Sequence, residues 1–116
     1  MTADEYQEEV MRTAGDNINY LKNVDSPDTA ALVMCALGLA GETGEFVDLV
    51  KKHVFHKHEL DREKLATELS DIGWYFFRAA SALGYSATTI FNINSAKLRK
   101  RYPEGWDPQR SINRVE

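Results

Sequence analysis

Two pairs of acidic residues with helical spacing impose the strongest constraint on the fold of this chain. The acids in each pair are three residues apart, and the pairs are Glu42 with Glu45 and Glu68 with Asp71. Residues three apart in an α-helix are neighbours on one face of that helix. If two such helices pack antiparallel, the four carboxylates meet at one point. Because like charges raise each other's pKa, the acids need a cation to stay ionised together.

The ligand chemistry of these pairs favours a hard cation. Carboxylate oxygens are the ligands that Mg²⁺ prefers, and Mn²⁺ binds the same set. A di-iron carboxylate bundle would need a histidine three residues after a glutamate, where this chain has Glu45 and Asp71. The histidines lie elsewhere, in the segment His53–His58, where a zinc site is the less favoured interpretation. The alternative for the four acids is ordinary solvation, because the chain has 18 acidic residues.

Helical periodicity predicts an all-α, four-helix bundle-like domain. Each predicted helix has a start or stop signal, such as a capping residue, a proline in the first turn or a terminal glycine. The predicted helices cover residues 3–14, Pro27 to Val54, Asp61 to Gly84, and Ser86 to Pro103. Residues 16–25 and the segment from His53 to Leu60 are predicted connections. No strand-like alternation of apolar and polar residues extends beyond a few positions.

Length and composition indicate one domain over residues 1–116, with its core at about residues 26–103. The net charge of −4 argues against nucleic acid or an anionic membrane as the main partner. The longest uncharged run, Ala30–Gly41, is too short to span a bilayer, and the polar residues 2–9 do not resemble a signal peptide. We therefore expect a cytoplasmic protein in which the single cysteine, Cys35, is a reduced core residue.

Three glycines lie within the second predicted helix, on the same turns as the first acidic pair. They are Gly38, Gly41 and Gly44, and each costs about 1 kcal/mol relative to alanine in a helix. The pattern indicates a close approach by a ligand or another backbone, or a kink. Close packing of two helices explains the spacing equally well.

A polar and cationic stripe lies on the fourth predicted helix. Asn94, Lys97 and Arg101 occupy positions i, i+3 and i+7, which share one helix face. Because protein-bound Mg²⁺ is commonly shared with substrate phosphates, this stripe is suited to bind the phosphate oxygens that the metal does not contact. The alternative is a solvated basic helix end that the helix dipole favours.

These motifs, in this order, resemble those of the MazG-like nucleoside triphosphate pyrophosphohydrolases of the all-α NTP pyrophosphatase superfamily. The resemblance covers about residues 30–105 and rests on Gly41-Glu42-Thr43-Gly44-Glu45, Glu68-Leu69-Ser70-Asp71 and Asn94-x-x-Lys97-Leu98-x-x-Arg101-Tyr102-Pro103. It implies hydrolysis of a (deoxy)nucleoside triphosphate to the monophosphate and pyrophosphate. It also implies a homodimer or homotetramer, and a domain this short would not easily enclose a nucleotide alone.

The resemblance implies a role for each matching residue. Magnesium binding falls to Glu42, Glu45, Glu68 and Asp71, and triphosphate binding falls to Asn94, Lys97, Arg101 and Tyr102, with added charge from Lys51 or equally Lys52. General chemistry agrees, because metal ions offset triphosphate charge and lower the pKa of a bound water. Glu42 or Glu45 is suited to accept the proton of that water. Lys97 or Arg101 would then stabilise the charge that develops on the phosphoryl group.

Two functional alternatives remain open at this point. One is a pyrophosphatase restricted to dUTP or dCTP, and the other is a non-catalytic helical module that binds a cation.

Two pairs of side chains are candidates for contact with a nucleobase. Tyr6 and Gln7 lie on the first predicted helix, whereas Trp74 and Tyr75 lie beside Asp71. For Trp74 and Tyr75 the favoured interpretation is core packing, because large aromatic side chains usually pack.

Overall fold

The structure, a computed structural model, describes residues 1–15 and 26–114, and within them every regular element is an α-helix. There are five helices: α1 (Ala3–Val10), α2 (Pro27–His56), α3 (Arg62–Leu83), α4 (Ala87–Arg101) and α5 (Pro108–Ile112). The prediction of an all-α chain with four main helices is confirmed. The predicted connection at residues 16–25 lies outside the described residues.

The longest helices, α2 and α3, form an antiparallel pair that holds most of the core. Their N-terminal caps are those predicted: Ser26 accepts a hydrogen bond from the Thr29 amide at 3.2 Å, and Asp61 accepts one from the Lys64 amide at 3.0 Å. The residues buried between and around these helices are mostly small: Ala30, Ala31, Cys35, Ala80 and Ala82. Small side chains let two helix backbones approach closely. The prediction of Cys35 as a reduced core residue is confirmed, because it is unpaired and 1% exposed.

Two helix ends differ from the prediction. The first helix ends at Val10 rather than at residue 14, because the next three amides donate to carbonyls three residues earlier and tighten the chain into turns. The second helix continues to His56, inside the predicted connection, and ends where Lys57 adopts a left-handed conformation with φ of 60°. Its last turn carries His53 and His56, which the negative end of the helix dipole favours.

One buried side chain of α1 ties together α3 and α4. Gln7 is 7% exposed, and its amide nitrogen donates to Ser81 Oγ at 3.0 Å and to the carbonyl of Tyr85 at 2.8 Å. Its amide oxygen accepts a hydrogen bond from the backbone N–H of Ala87 at 2.8 Å. Both ends of the Gln7 amide are therefore used within the fold, which argues against this side chain as a reader of the nucleobase.

The N-terminus of α4 is capped by Ser86, which directly precedes the helix, and by Asp4 of α1. Ser86 accepts a hydrogen bond from the Thr89 amide at 3.1 Å, and Asp4 accepts two from Thr88, one from its amide at 2.9 Å and one from its hydroxyl at 2.6 Å. These hydrogen bonds lower the pKa of the Asp4 carboxyl from its ordinary value. The remainder of α4 is largely uncovered, and residues 91–100 are all exposed.

Much apolar surface stays uncovered in the single chain. The accessible surface is 8624 Å², whereas a folded monomer of this mass exposes about 6,400 Å². The radius of gyration is 17.5 Å, against about 13 Å for a compact domain of this length. Among the described helices, α2 is also long and apolar enough to cross a membrane by length and composition alone, and only 17% of its most apolar window is buried.

Candidate functional site

The pairing of α2 with α3 brings three of the four predicted metal ligands together. Carboxylate oxygens of Glu42, Glu68 and Asp71 all lie within 4.8 Å of one another. Among the histidine, cysteine and acidic side chains of residues 1–15 and 26–114, this is the one group of three or more that can hold a metal ion. The three histidines do not form such a group, and Nδ1 of His53 instead hydrogen-bonds the carbonyl of His58 at 2.8 Å.

Glu68 has the least favourable surroundings for a negative charge in this acidic group. One of its carboxylate oxygens, Oε2, is buried and has no hydrogen-bond partner. Burial raises the pKa of the Glu68 carboxyl above its ordinary value, and the negative charges of Glu45, Glu42 and Asp71 raise it further. A buried carboxylate oxygen without a donor is costly unless a cation binds it. The donor set, made only of carboxylate oxygens, therefore fits a hard divalent cation such as Mg²⁺.

Glu45 lies outside the three-residue group but borders it. It lines a cleft of about 330 Å³, here called the glycine cleft, whose other lining residues are Gly41, Gly44, Asp48, Leu49 and Glu68. A Cβ atom added to Gly41 or Gly44 would meet no atom within 4 Å, so these two glycines leave the helix backbone open to the cleft. Of the interpretations offered for these glycines, an open approach for a ligand agrees with their surroundings.

Asp48 was not among the predicted site residues, although it continues the three-residue spacing of Glu42 and Glu45. Its carboxylate contacts Lys51 Nζ at 3.1 Å and Lys52 Nζ at 2.8 Å. These lysines lower the pKa of Asp48 from its ordinary value. Lys51 is a predicted substrate residue, and Lys52 is its predicted alternative. The structure pairs both lysines with Asp48, which lines the glycine cleft. The continuation of the three-residue spacing on α2 is the sequence signal that could have identified Asp48 as a residue of the site.

A cleft of about 300 Å³ with aromatic walls, here called the aromatic cleft, also borders the acids. Thr13, Glu42, Asp71, Trp74 and Tyr75 line it. The two rings meet edge to face with their centroids 5.1 Å apart. Trp74 Nε1 donates a hydrogen bond to Thr13 Oγ1 at 2.9 Å, which connects α3 to the turn after α1.

Gly38 determines where one of these rings lies. A Cβ atom added to Gly38 would clash with Cε1 of Tyr75, so the ring rests directly against the α2 backbone. Close packing of two helices was the alternative explanation for the glycine spacing. Of the three glycines, only Gly38 makes such a contact. Trp74 and Tyr75 are half-buried, and the contact of the Tyr75 ring with the α2 backbone agrees with the packing interpretation favoured for it.

The α4 stripe is absent from the lining of both clefts beside the acids. Asn94 and Lys97 are exposed, whereas Arg101 and Tyr102 are half-buried. Asn94 and Tyr102 line a third, largely apolar cleft of about 680 Å³, in which the Tyr102 ring lies 5.2 Å from that of Trp106. Neither the glycine cleft nor the aromatic cleft is lined by a residue of α4.

Comparison with known proteins supplies independent information on this arrangement. A model of the MazG nucleotide pyrophosphohydrolase domain matches residues 33–106. The Gene 37 protein of Mycobacterium phage L5 is 31% identical to the chain over 96 residues, which represent 79% of this chain and 84% of that protein. No solved structure matches the chain significantly. The matched region contains all four predicted metal ligands and the stripe on α4.

Proposed function

The chain belongs to the MazG nucleotide pyrophosphohydrolase family, and from this premise we propose that it hydrolyses (deoxy)nucleoside triphosphates to the monophosphate and pyrophosphate with Mg²⁺. The observation that carries the proposal is the acidic group of Glu42, Glu68 and Asp71, in which one buried carboxylate oxygen of Glu68 has no partner. Mn²⁺ is expected to substitute, since it accepts the same oxygen ligands. The substrates are those of a nucleotide pool, in keeping with a cytoplasmic house-cleaning role.

The proposed reaction is attack of water on the α-phosphorus. When bound, Mg²⁺ offsets triphosphate charge and lowers the pKa of water at the site. Oxygen of the attacking water bonds to the α-phosphorus, while the bond from that phosphorus to the oxygen bridging the α- and β-phosphates breaks. The bridging oxygen keeps the electron pair and leaves with pyrophosphate.

A carboxylate of α2 receives the proton that the water loses. Glu42 and Glu45 are both candidates from the sequence, and their positions favour Glu45 in this role. Glu42 contributes an oxygen to the group of three that would hold the metal. Glu45 lies outside that group and lines the neighbouring glycine cleft, so its carboxylate remains available to accept a proton.

We further propose that the protein works as a homodimer or homotetramer. Each chain exposes about 2,200 Å² more than a folded monomer of its mass, a surplus comparable to what one protomer buries in an obligate homodimer. Assembly would cover the apolar faces of α2 and α4. It would also explain how Asn94, Lys97, Arg101 and Tyr102 serve a triphosphate: the stripe of one protomer reaches the acids of another. Analytical ultracentrifugation tests this, and a monomer at micromolar concentration, or a chain recovered only with membranes, contradicts it.

The activity is tested by incubating the protein with a panel of nucleotides and Mg²⁺ and measuring pyrophosphate. Glu68→Gln should abolish release, whereas Glu63→Gln, an exposed glutamate on the same helix, serves as the matched control and should retain it. Activity that survives Glu68→Gln contradicts the metal site. Orthophosphate in place of pyrophosphate contradicts attack on the α-phosphorus.

The same panel separates the two alternatives from the proposal. Release from dUTP or dCTP alone identifies a pyrophosphatase of narrow specificity. No product from any nucleotide, together with Mg²⁺ binding that Glu68→Gln removes, identifies a non-catalytic cation-binding module.

A further inference from the structure

Building on the proposed assembly, we propose that a second copy of the chain docks its own α2 antiparallel to the outer face of α2. Seven positions along this face, three or four residues apart, are here called the α2 seam: Val33, Leu37, Ala40, Gly44, Val47, Lys51 and Val54. All seven are exposed in the single chain. Six of them carry no polar side-chain atom, so the seam is an apolar face without a cover.

The α2 seam lies on the side of the helix that faces away from α3. α2 meets α3 through Gly38, which contacts the ring of Tyr75, and through Glu42, which belongs to the acidic group. Each residue of an α-helix advances by about 100°, so a position two residues later points about 200° away. Ala40 and Gly44 each follow one of these contact positions by two residues. They, and the positions in line with them, therefore face outward.

The spacing of the α2 seam is that of two helices packed along their length. From Val33 to Val54 the steps alternate between four and three residues, and a mean of about 3.5 residues keeps a seam facing a partner helix. At 1.5 Å per residue the seam is about 32 Å long. Each chain exposes about 2,200 Å² more than a folded monomer of its mass, whereas a stable homodimer covers about 1,000 Å² or more per protomer. The uncovered surface is therefore sufficient for a second copy.

Charge favours an antiparallel arrangement of the two helices. In a parallel pair each position meets its own counterpart, so Lys51 of one copy would face Lys51 of the other. In an antiparallel pair Lys51 faces the run Ala30–Gly41, which carries no charge. The midpoint of the seam falls beside Gly44, where an added Cβ atom would meet nothing within 4 Å. A two-fold axis at this midpoint makes the face self-complementary, as a closed dimer requires.

This interface connects the assembly to the candidate site. Gly44 belongs both to the α2 seam and to the glycine cleft, which Glu45 and Glu68 also line. A helix docked on the seam therefore forms a further wall of that cleft. In the proposed dimer, each acidic group lies beside the α2 helix of the other copy, and the site of one chain is completed by its partner.

Distances between spin labels test the direction of pairing. Cys35 is 1% exposed, so the native chain should take up no thiol-reactive label. Thr43→Cys places a label near the midpoint and Asp28→Cys places one at the start of α2, both at exposed positions outside the seam. Pulsed electron paramagnetic resonance of the antiparallel dimer should give about 20 Å or less for Thr43→Cys and about 45 Å for Asp28→Cys. Short distances at both positions, or a long distance for Thr43→Cys, overturn the inference.

Substitution on the seam provides the second measurement. Val47→Glu places a charge in the interface and should raise the dissociation constant of the dimer by about tenfold or more in analytical ultracentrifugation. Val50→Glu is the matched control, because Val50 is exposed on the same helix beside the seam, and it should have the smaller effect. Equal effects of the two variants overturn the inference. If Val47→Glu does not fold, the label distances decide.

These outcomes separate the interface from the proposals on which it rests. A monomeric wild-type protein contradicts the proposed assembly and this interface together. A dimer with other label distances overturns this interface alone, and pyrophosphate release is measured independently of both. Because α2 is also long and apolar enough to cross a membrane, the wild-type protein is mixed with phosphatidylcholine vesicles. Sedimentation with the vesicles overturns the docking of a second copy on this face.

Discussion

Removal of the Gln7 side chain should strongly destabilise the fold, because one buried amide joins three helices. In Gln7→Ala, three hydrogen bonds are lost: to Ser81 Oγ at 3.0 Å, to the carbonyl of Tyr85 at 2.8 Å and from the amide of Ala87 at 2.8 Å. The last of these satisfies an N–H in the first turn of α4, where the helix has no partner of its own. Ala87 is fully buried, so water does not readily replace the lost acceptor.

The magnitude follows from these three contacts. A net contribution of about 1 kcal/mol per neutral hydrogen bond gives a loss of about 3 kcal/mol in the free energy of unfolding. Total stability is typically about 5–15 kcal/mol, so this loss is a large share of it. At about 4 °C per kcal/mol for a chain of this length, Tm should fall by about 12 °C.

Urea denaturation followed by circular dichroism measures this loss. Protein concentration is held constant, because stability that depends on assembly varies with it. Glu8→Ala is the matched control: Glu8 is exposed on the same helix, and its replacement should change stability by less than about 0.5 kcal/mol. A loss below about 1 kcal/mol for Gln7→Ala, or equal losses for both variants, would refute the assigned role of Gln7.

Four variants test the charges and the close packing. Burial raises the pKa of Glu68, so the ionised side chain destabilises the fold once pH rises through that pKa. Glu68→Gln should therefore raise Tm at neutral pH in the absence of metal, and it should remove the rise in Tm that Mg²⁺ produces. Scanning fluorimetry measures both changes. Hydrogen bonds lower the pKa of Asp4, so the Tm difference between wild type and Asp4→Asn should be largest at neutral pH and vanish as pH falls through that pKa. Gly38→Ala forces a methyl group against Tyr75 and should cost about 1–3 kcal/mol in urea denaturation, whereas Gly41→Ala meets open space and should not destabilise the protein.

The helices and the acidic group were predictable because their signals are local. Ser26, Asp61 and Ser86 begin their helices through hydrogen bonds to amides three residues ahead. The spacing of the acids then required only that α2 and α3 pack antiparallel. The fifth helix was missed, although Asp107 before Pro108 repeats the capping residue and proline that begin α2 at Ser26.

The contacts that were not predicted join residues far apart in the chain. The partners of Gln7 are 74 to 80 residues away, and no periodic pattern within α1 identifies them. The role of Gly38 depends on which ring of α3 lies opposite it. The spacing of the glycines along α2 carries no information about that ring. The absence of Asn94 and Lys97 from the clefts beside the acids has a similar origin, because the direction of α4 is set by the turn at Gly84 and by contacts with α1.

The exposed apolar surface of α2 and α4 has a consequence for how the protein responds to its own abundance. A chain that covers this surface only on another copy is stabilised by mass action, so its Tm rises with the number of copies present. Below a threshold of expression, both the folded fraction and the turnover per chain would fall together. In the proposed assembly, the amount of protein made, and not only the amount of nucleotide present, would determine when the reaction begins.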